Sequence, residues 1–282
     1  MRIRNRKKGN KDYYYFEHSM RNGNKIIKKE KYLGTKVPEN LEEIKSQFLN
    51  DLKLDLYKKL ENIKINFQKE WKNLPKSIKE KELEEISIAF TYNTNAIEGS
   101  TITLEESREI IHNKISPNKS LKDVKETEAH NKVFLQMLKN KENITNRLLL
   151  EWHKKIFGET KEDIAGRYRN YLVRVGNYIA PDWQDVKKLM DELIRYTNNK
   201  INPVELSARV HFKFESIHPF GDGNGRIGRL LMNYILWHSG YPMLIIEYKK
   251  RMSYYKAFTN GEEGFVRYFL RRYLSAHKKR IR

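Results

Sequence analysis

Along most of the chain, apolar residues recur every three to four positions, the period of a helix with one buried face. Leu41, Ile44, Phe48, Leu52, Leu56, Leu60, Ile63 and Phe67 form one such stripe. After the break at Pro38-Glu39-Asn40 it predicts a single long helix from Leu41 to about Trp71. The stripe is expected to dock on the rest of the protein, and a helix of this length can equally pair with a second copy in a homodimer. A second helix is expected from about Ser77 to Ala96, with Leu83, Ile86, Phe90 and Asn93 along one side and Gly99 as its stop. Further helices follow at about Leu104 to Asn113, Leu121 to Lys139, Asn146 to Ile156 and Trp183 to Thr197. Leu206, Val210, Phe214 and Ile217 carry another helical stripe, and Ile227, Leu230, Leu231, Tyr234 and Ile235 the next. Two stretches depart from this period. Asp12 to Met20 and Lys25 to Leu33 are rich in strand formers and flank Arg21-Asn22-Gly23-Asn24, so a β-hairpin is expected after a basic tip. Ala165 to Ile179 is extended and interrupted by turn residues. The pattern is that of a mainly α protein.

Composition narrows the function. A hydrophobic fraction of 39% in 282 residues suffices for a core. There is no apolar run near twenty residues, and no apolar segment follows the charges of Met1-Arg2-Ile3-Arg4-Asn5-Arg6-Lys7-Lys8. A soluble, unexported protein without a membrane partner is expected. The absence of cysteine excludes disulfides, thiolate catalysis and cysteine zinc sites, and fits a reducing cytoplasm. Lys and Arg number 56 against 36 Asp and Glu, a net charge of +20, which raises a polyanionic partner. The excess looks scattered over both termini, Lys25 to Lys31 and many Lys/Glu mixtures, so solvated faces account for most of it and nucleic acid takes a minor place. Tyr13-Tyr14-Tyr15 could stack on bases, although packing one face of a small sheet is the commoner use of such residues.

The chemistry is concentrated in His218-Pro219-Phe220-Gly221-Asp222-Gly223-Asn224-Gly225-Arg226-Ile227-Gly228-Arg229. Gly221, Gly223 and Gly225 allow positive φ and close approach of the backbone to a ligand, and amides at a helix N-terminus favour an anion. Asp222 is a hard oxygen ligand of the kind Mg²⁺ takes when phosphates and water fill the rest of its shell. Arg226 and Arg229 lie three apart, hence on one helix face, with donors suited to phosphate. His218 is the group there that can take a proton near neutral pH. Phe220 is expected to anchor the turn in the core. Gly223 to Gly228 also fits the dinucleotide fingerprint G-x-G-x-x-G, with Glu247 downstream, but that fingerprint needs a buried strand before it and a helical stripe stands there instead. His112, His130 and His153 show no metal-ligand spacing and read as structural or surface groups.

The segment from His218 to Arg229 resembles the signature of the Fic family, HxFx(D/E)GNGRxxR, with every fixed position filled. The resemblance implies a Fic-type helical bundle with a short β-hairpin flap, here with the β-hairpin at the N-terminus added. It implies an enzyme that transfers the AMP part of ATP, with Mg²⁺, to a Ser, Thr or Tyr hydroxyl of a target protein, which can be the enzyme itself. On that likeness His218 is the catalytic base and Asp222 the metal ligand. Gly221, Gly223, Asn224, Gly225, Arg226 and Arg229 hold phosphates, and Tyr254 and Tyr255 line the base pocket. Glu262 stands where some relatives place an asparagine facing the base. Leu172, Val173, Arg174 and Val175 fall in the flap that pairs with the target's backbone. Thr94-Asn95-Ala96-Ile97-Glu98-Gly99 resembles the family's inhibitory motif (S/T)xxxE(G/N), a class II-like arrangement. Its working residues are Thr94, Glu98 and Gly99, with Glu98 pairing Arg229 so that the ATP γ-phosphate is excluded. The expected organisation is a tip and hairpin over residues 1–38, a helical region with the inhibitory helix over 39–103, and a catalytic core over 104–282. Two alternatives are removal of AMP on the same fold, with Glu98 aligning a water, and a nucleic-acid-binding regulator. Against the latter stands the short tail Lys278-Lys279-Arg280-Ile281-Arg282, where many relatives append a winged helix.

Overall fold

A computed structural model describes residues 1–22, 25–176 and 178–282, the side chains of 20–22 and 25–27 excepted. The Asn-Gly turn expected at the hairpin tip involves Gly23 and Asn24, outside the described residues. Residues 1–65 with 271–282 form one unit and residues 66–270 another. These bounds differ from the expected breaks at 38 and 103, because the N-terminal sheet packs on the helix that follows it.

In the first unit, β1 (Arg2–Lys8), β2 (Lys11–Asn22) and β3 (Lys25–Gly34) make an antiparallel sheet in that order. The basic tip is therefore a strand and not a lead-in to a hairpin. Its arginines are paired across the ladder: Arg2 and Arg4 both donate to Glu17, at 2.6 and 2.8 Å. On the opposite face Phe16, 3% exposed, stacks on Phe48 of α1 (Leu41–Asn73) with ring centroids 6.4 Å apart. The long helix has the predicted extent within two residues, and Phe48, Leu60 and Ile63 of its stripe are buried.

The second unit opens with α2 (Lys76–Ile97) and α3 (Leu104–Arg108), which runs into a π turn at Glu109–Asn113. A reciprocal Thr103/Glu106 capping box starts α3. Ser120 caps α4 (Leu121–Lys139) and Thr145 caps α5 (Asn146–Phe157). The expected flap is reduced to two short strands, β4 (Arg174–Val175) and β5 (Tyr178–Ile179). After a 3₁₀ turn come α6 (Val186–Tyr196), α7 (Pro203–Ile217), α8 (Asn224–His238) and α9 (Arg251–Phe258). The last helix, α10 (Gly261–Ala276), begins in this unit.

The core is built around α7 and α8. Leu206, Val210, Phe214 and Ile217 are all buried, as their spacing predicted, and pack with Ile227, Leu230 and Leu231 of α8 and with Phe134, Leu149 and Trp152 of α4 and α5. Each such side chain contributes about 1.5–3 kcal/mol on burial. Every residue of α8 from Asn224 to Leu236 is buried. Its polar members must therefore find partners inside the protein, and they define the site. No helix among the described residues is long and apolar enough to cross a membrane.

Candidate functional site

The turn between α7 and α8 is braced from below. His218 caps α7 in the left-handed region, φ 51° and ψ 60°, which a residue with a Cβ adopts only under constraint. Arg169, 4% exposed, supplies much of that constraint. Its guanidinium donates to the carbonyls of His218 at 2.8 Å, Tyr171 at 2.9 Å and Pro181 at 2.6 Å, while its backbone N–H donates to Pro219. One buried side chain thus ties the turn to the base of the flap. Phe220 is fully buried and lies 3.9 Å from the ring of His153. The Nδ1 of His153 accepts the Gly166 N–H at 2.9 Å, so its Nε2 carries the proton and donates to the Asp222 carbonyl at 3.0 Å. Burial pushes the pKa of His153 down to about 4 and keeps the ring neutral. The expected phosphate ligand Asn224 has its amide committed to the turn, accepting from the Phe220 N–H and donating to the Phe220 carbonyl at 2.8 and 2.9 Å.

The three glycines differ in their purpose. Gly223 takes positive φ, 78°, and caps α8 without a side-chain hydrogen bond, leaving the first amides of the helix for another acceptor. Gly221 and Gly225 do not adopt positive φ, contrary to the sequence reading. They are needed for space: a Cβ at Gly221 would strike the Tyr171 hydroxyl, and one at Gly225 the Glu98 carboxylate.

Charges converge on α8 from three other segments. Arg229, with its side chain 1% exposed, donates to Glu98 at 2.7 Å and to the Thr94 carbonyl at 3.2 Å. Burial opposes its charge, and the field of Glu98 more than offsets this, so the guanidinium pKa is raised. Arg226 pairs with the buried carboxylate of Glu126 on α4 and lies 4.3 Å over the Phe157 ring. Lys161 bridges Glu126 at 3.1 Å and Asp222 at 2.6 Å. Burial acts to raise the Asp222 pKa, but Lys161 and Arg226 outweigh it and hold the carboxyl below its ordinary value. Glu98, Lys122, Glu126, Lys161, Asp222 and Arg226 line one polar cleft. His218 is not part of that lining; burial lowers its pKa, against the hydrogen bond its ring donates to the Glu215 backbone carbonyl, which acts to raise it. Beneath, the Tyr254 hydroxyl and His211 Nε2 are 2.8 Å apart, with Glu215 close by. Sequence reasoning missed Arg169, Lys161 and Glu126. Glu126 and Lys161 lie in charged stretches and Arg169 in the extended segment before the flap, none with a local pattern, and only their contacts in the fold distinguish them.

The remaining expected residues are divided by the fold. Thr94 is buried, and Gly99 takes φ 93° just past α2. Tyr254 is 2% exposed and packs in the core. Tyr255 is 43% exposed and donates to the Ile97 carbonyl at 2.9 Å, beside Glu98. Glu262 is engaged by Arg209 and Lys213, each at 2.9 Å. On the flap Leu172 and Val175 are exposed, and the Val173 carbonyl accepts from Ala180 N–H. Arg174 is exposed as well. His112 pairs with Glu84 at the surface, and His130 is buried against Thr91. Among the described residues no group of three or more metal-ligating side chains converges.

Residues 143–236 match the model of the Fic/DOC family. The chain is 36% identical over 198 residues to the protein adenylyltransferase Fic of Nematostella vectensis, an alignment covering 67% of this chain and 46% of that protein. It spans about half the length of that curated relative and less of the fly relatives, 38% of the one from Drosophila melanogaster. Among solved structures, Fic-1 from C. elegans superposes with a TM-score of 0.70 at 27% identity, over 86% of this chain and 78% of that one. A Fic-domain-containing signaling protein from Bacteroides thetaiotaomicron gives a TM-score of 0.67 at 28% identity, over 78% of this chain and 96% of the other.

Proposed function

Because the chain carries a domain of the Fic/DOC family, we propose that it is a protein adenylyltransferase, moving AMP from ATP to a Ser, Thr or Tyr hydroxyl of a protein, and that Glu98 holds it off. The observation that carries this reading is a single turn and helix start presenting His218, Asp222, Arg226 and Arg229 in order, with Glu98 seated 2.7 Å from the last arginine. ATP enters as co-substrate. The triphosphate lies over the uncapped N-terminus of α8, where Gly223 leaves backbone N–H groups directed at an anion. Arg226 takes charge on the β-phosphate, and Arg229 takes the γ-phosphate once it lets go of Glu98. His218, neutral because burial lowers its pKa, receives the proton of the target hydroxyl as that oxygen bonds the α-phosphorus. The bond from the α-phosphorus to the bridging oxygen breaks, and pyrophosphate leaves. Most of the acceleration then comes from positioning and charge stabilisation.

A single half-exposed carboxylate at Asp222 suits Mg²⁺, which keeps water and phosphate oxygens in its shell. Asp222 would hold the ion, which would supply charge neutralisation on the phosphates. Lys161, now on that carboxylate, is placed to shift to a phosphate oxygen. The exposed backbone of β4 offers the target a strand to pair with, so that its hydroxyl is held in line whatever its neighbouring side chains. A cysteine-free composition supports a reducing site of action such as the cytoplasm.

ATP labelled at the α-phosphate is expected to mark protein, ATP labelled at the γ-phosphate is not, and His218→Ala is expected to abolish the mark. Label arriving from the γ-position would make the reaction phosphorylation and overturn the reading.

A further inference from the structure

The positive charge, scattered along the sequence, is concentrated by the fold. Residues 1–65 with 271–282 hold 23 Lys and Arg against 9 Asp and Glu, a net of +14. Residues 66–270 hold 33 against 27, a net of +6. The attraction for a polyanion therefore belongs chiefly to the unit that lacks the Fic motif.

Within that unit, one surface is organised. Residues two apart on a strand share a face. In the observed register Arg4 is opposite Tyr15 and Tyr15 is opposite Tyr32, a row crossing all three strands, while Arg6 faces Tyr13 and Arg2 faces Glu17. Arg2, Arg4, Arg6, Tyr13, Tyr15 and Tyr32 thus stand on the outward face, and Phe16 turns inward onto Phe48. The rings form a continuous patch, with Tyr32 5.2 Å from Tyr15 and 6.2 Å from Tyr13, and Arg6 lies 4.8 Å over Tyr15. Tyr32 is 52% exposed. Glu17 is buried beneath Arg2 and Arg4 at once, and Glu30, opposite Glu17, pairs with Arg6, so three guanidiniums stand over two carboxylates and the row keeps a net positive charge.

A partner for this face must offer repeated negative charge beside flat, unsatisfied rings. An acidic bilayer offers the charge but is anchored by aliphatic or Trp/Phe wedges, whereas this row consists of phenols and guanidiniums. Duplex DNA keeps its rings stacked on one another. A single strand presents phosphates and free base faces together, and phosphate-binding arginines with exposed aromatic rings are the elements that bind it. We infer that the outward face of the β1–β2–β3 sheet binds single-stranded nucleic acid, with Arg2, Arg4 and Arg6 on phosphates and the Tyr15–Tyr32 pair stacking on bases.

The test is fluorescence anisotropy of the intact chain with a labelled mixed-sequence single strand, as RNA and as DNA, beside the matching duplex and phosphatidylserine vesicles. The single strand is expected to bind tighter than either of the others. Tyr32→Ala should weaken it about tenfold, the loss of roughly one stacked base, while Tyr32→Phe retains binding and so separates stacking from folding. Arg4→Gln with Arg6→Gln should lower the slope of log affinity against log salt by about 1.4, since each single-strand phosphate contact contributes about 0.7. Excess ATP should not displace the strand. Equal binding of duplex or vesicles, an unchanged affinity in Tyr32→Ala, an unchanged salt slope, or displacement by ATP would each overturn the inference.

Discussion

Replacing Glu98 by glycine removes the carboxylate 2.7 Å from Arg229 and leaves a guanidinium only 1% exposed with the Thr94 carbonyl as its remaining short contact to α2. Removing one partner of a buried ion pair costs about 3–5 kcal/mol. Glu98 is itself 27% exposed, so solvent screening brings the expected cost to about 2 kcal/mol. Glycine is well tolerated just past a helix C-terminus, so the loss reports the pair and not the backbone. For a body of this size, about 2 kcal/mol lowers the melting temperature by roughly 4–8 °C. On the proposed mechanism the same contact must break before Arg229 can hold the γ-phosphate. Its removal therefore favours the competent state by about thirtyfold, and AMP incorporation should rise by a similar factor. Thermal melts with and without MgATP, run beside α-labelled ATP incorporation, read both consequences. ATP should recover most of the lost melting temperature in Glu98→Gly, because phosphate re-pairs Arg229. A variant that melts like the wild type and labels no faster would show that the contact neither stabilises the protein nor blocks the site.

Arg169→Lys should lower kcat by tenfold or more with little change in the KM for ATP: an ammonium cannot reach the carbonyls of His218, Tyr171 and Pro181 together, so the base loses its placement while the phosphate site keeps its own residues; steady-state kinetics check it, and an unchanged kcat would remove Arg169 from that role. Stability should also fall in acid. Burial holds His130 and His211 at about 3 and His153 at about 4, below the ordinary 6.5. The unfolded chain therefore takes up protons first as pH drops below 6.5, and stability declines toward pH 4 by up to about 1.4 kcal/mol per unit for each ring. Melting temperatures measured across that window should fall, and a flat profile would mean that these rings are protonated in the native protein.

Helix positions were legible because periodicity reports burial, as the stripe of Leu206, Val210, Phe214 and Ile217 on α7 shows. The signature was legible because its chemistry is local: His218 and Arg229 are eleven positions apart. The rest of the site is assembled by contacts that no local pattern marks. Glu126 meets Arg226 across 100 positions and Lys161 meets Asp222 across 61. Tyr254 and Tyr255 are adjacent in sequence, yet consecutive helix residues point about 100° apart, so only one of them can face inward at full depth. The fold sends Tyr254 to the core and leaves Tyr255 near Glu98. β1 reads as a charged tail because its own residues are mostly charged, and the carboxylates that pair with its arginines, Glu17 and Glu30, lie on the other two strands. The distribution of charge required the fold, since residues 271–282 join residues 1–65 only in three dimensions.

Arg226 and Arg229 lie inside the stretch 143–236 that matches the family model, whereas Glu126 and Glu98 lie before it. A fragment trimmed to the matched stretch would lose the carboxylates nearest both guanidiniums, leaving Arg226 only the longer contact to Asp222 at 3.7 Å, at several kcal/mol in all. That is a large share of the 5–15 kcal/mol that holds an ordinary domain together. The stretch that matches the family model and the smallest excisable folding body are therefore not the same length in this protein. An autonomous piece must reach back at least to α2, which makes the carboxylate at its end as much a part of the scaffold as of the site.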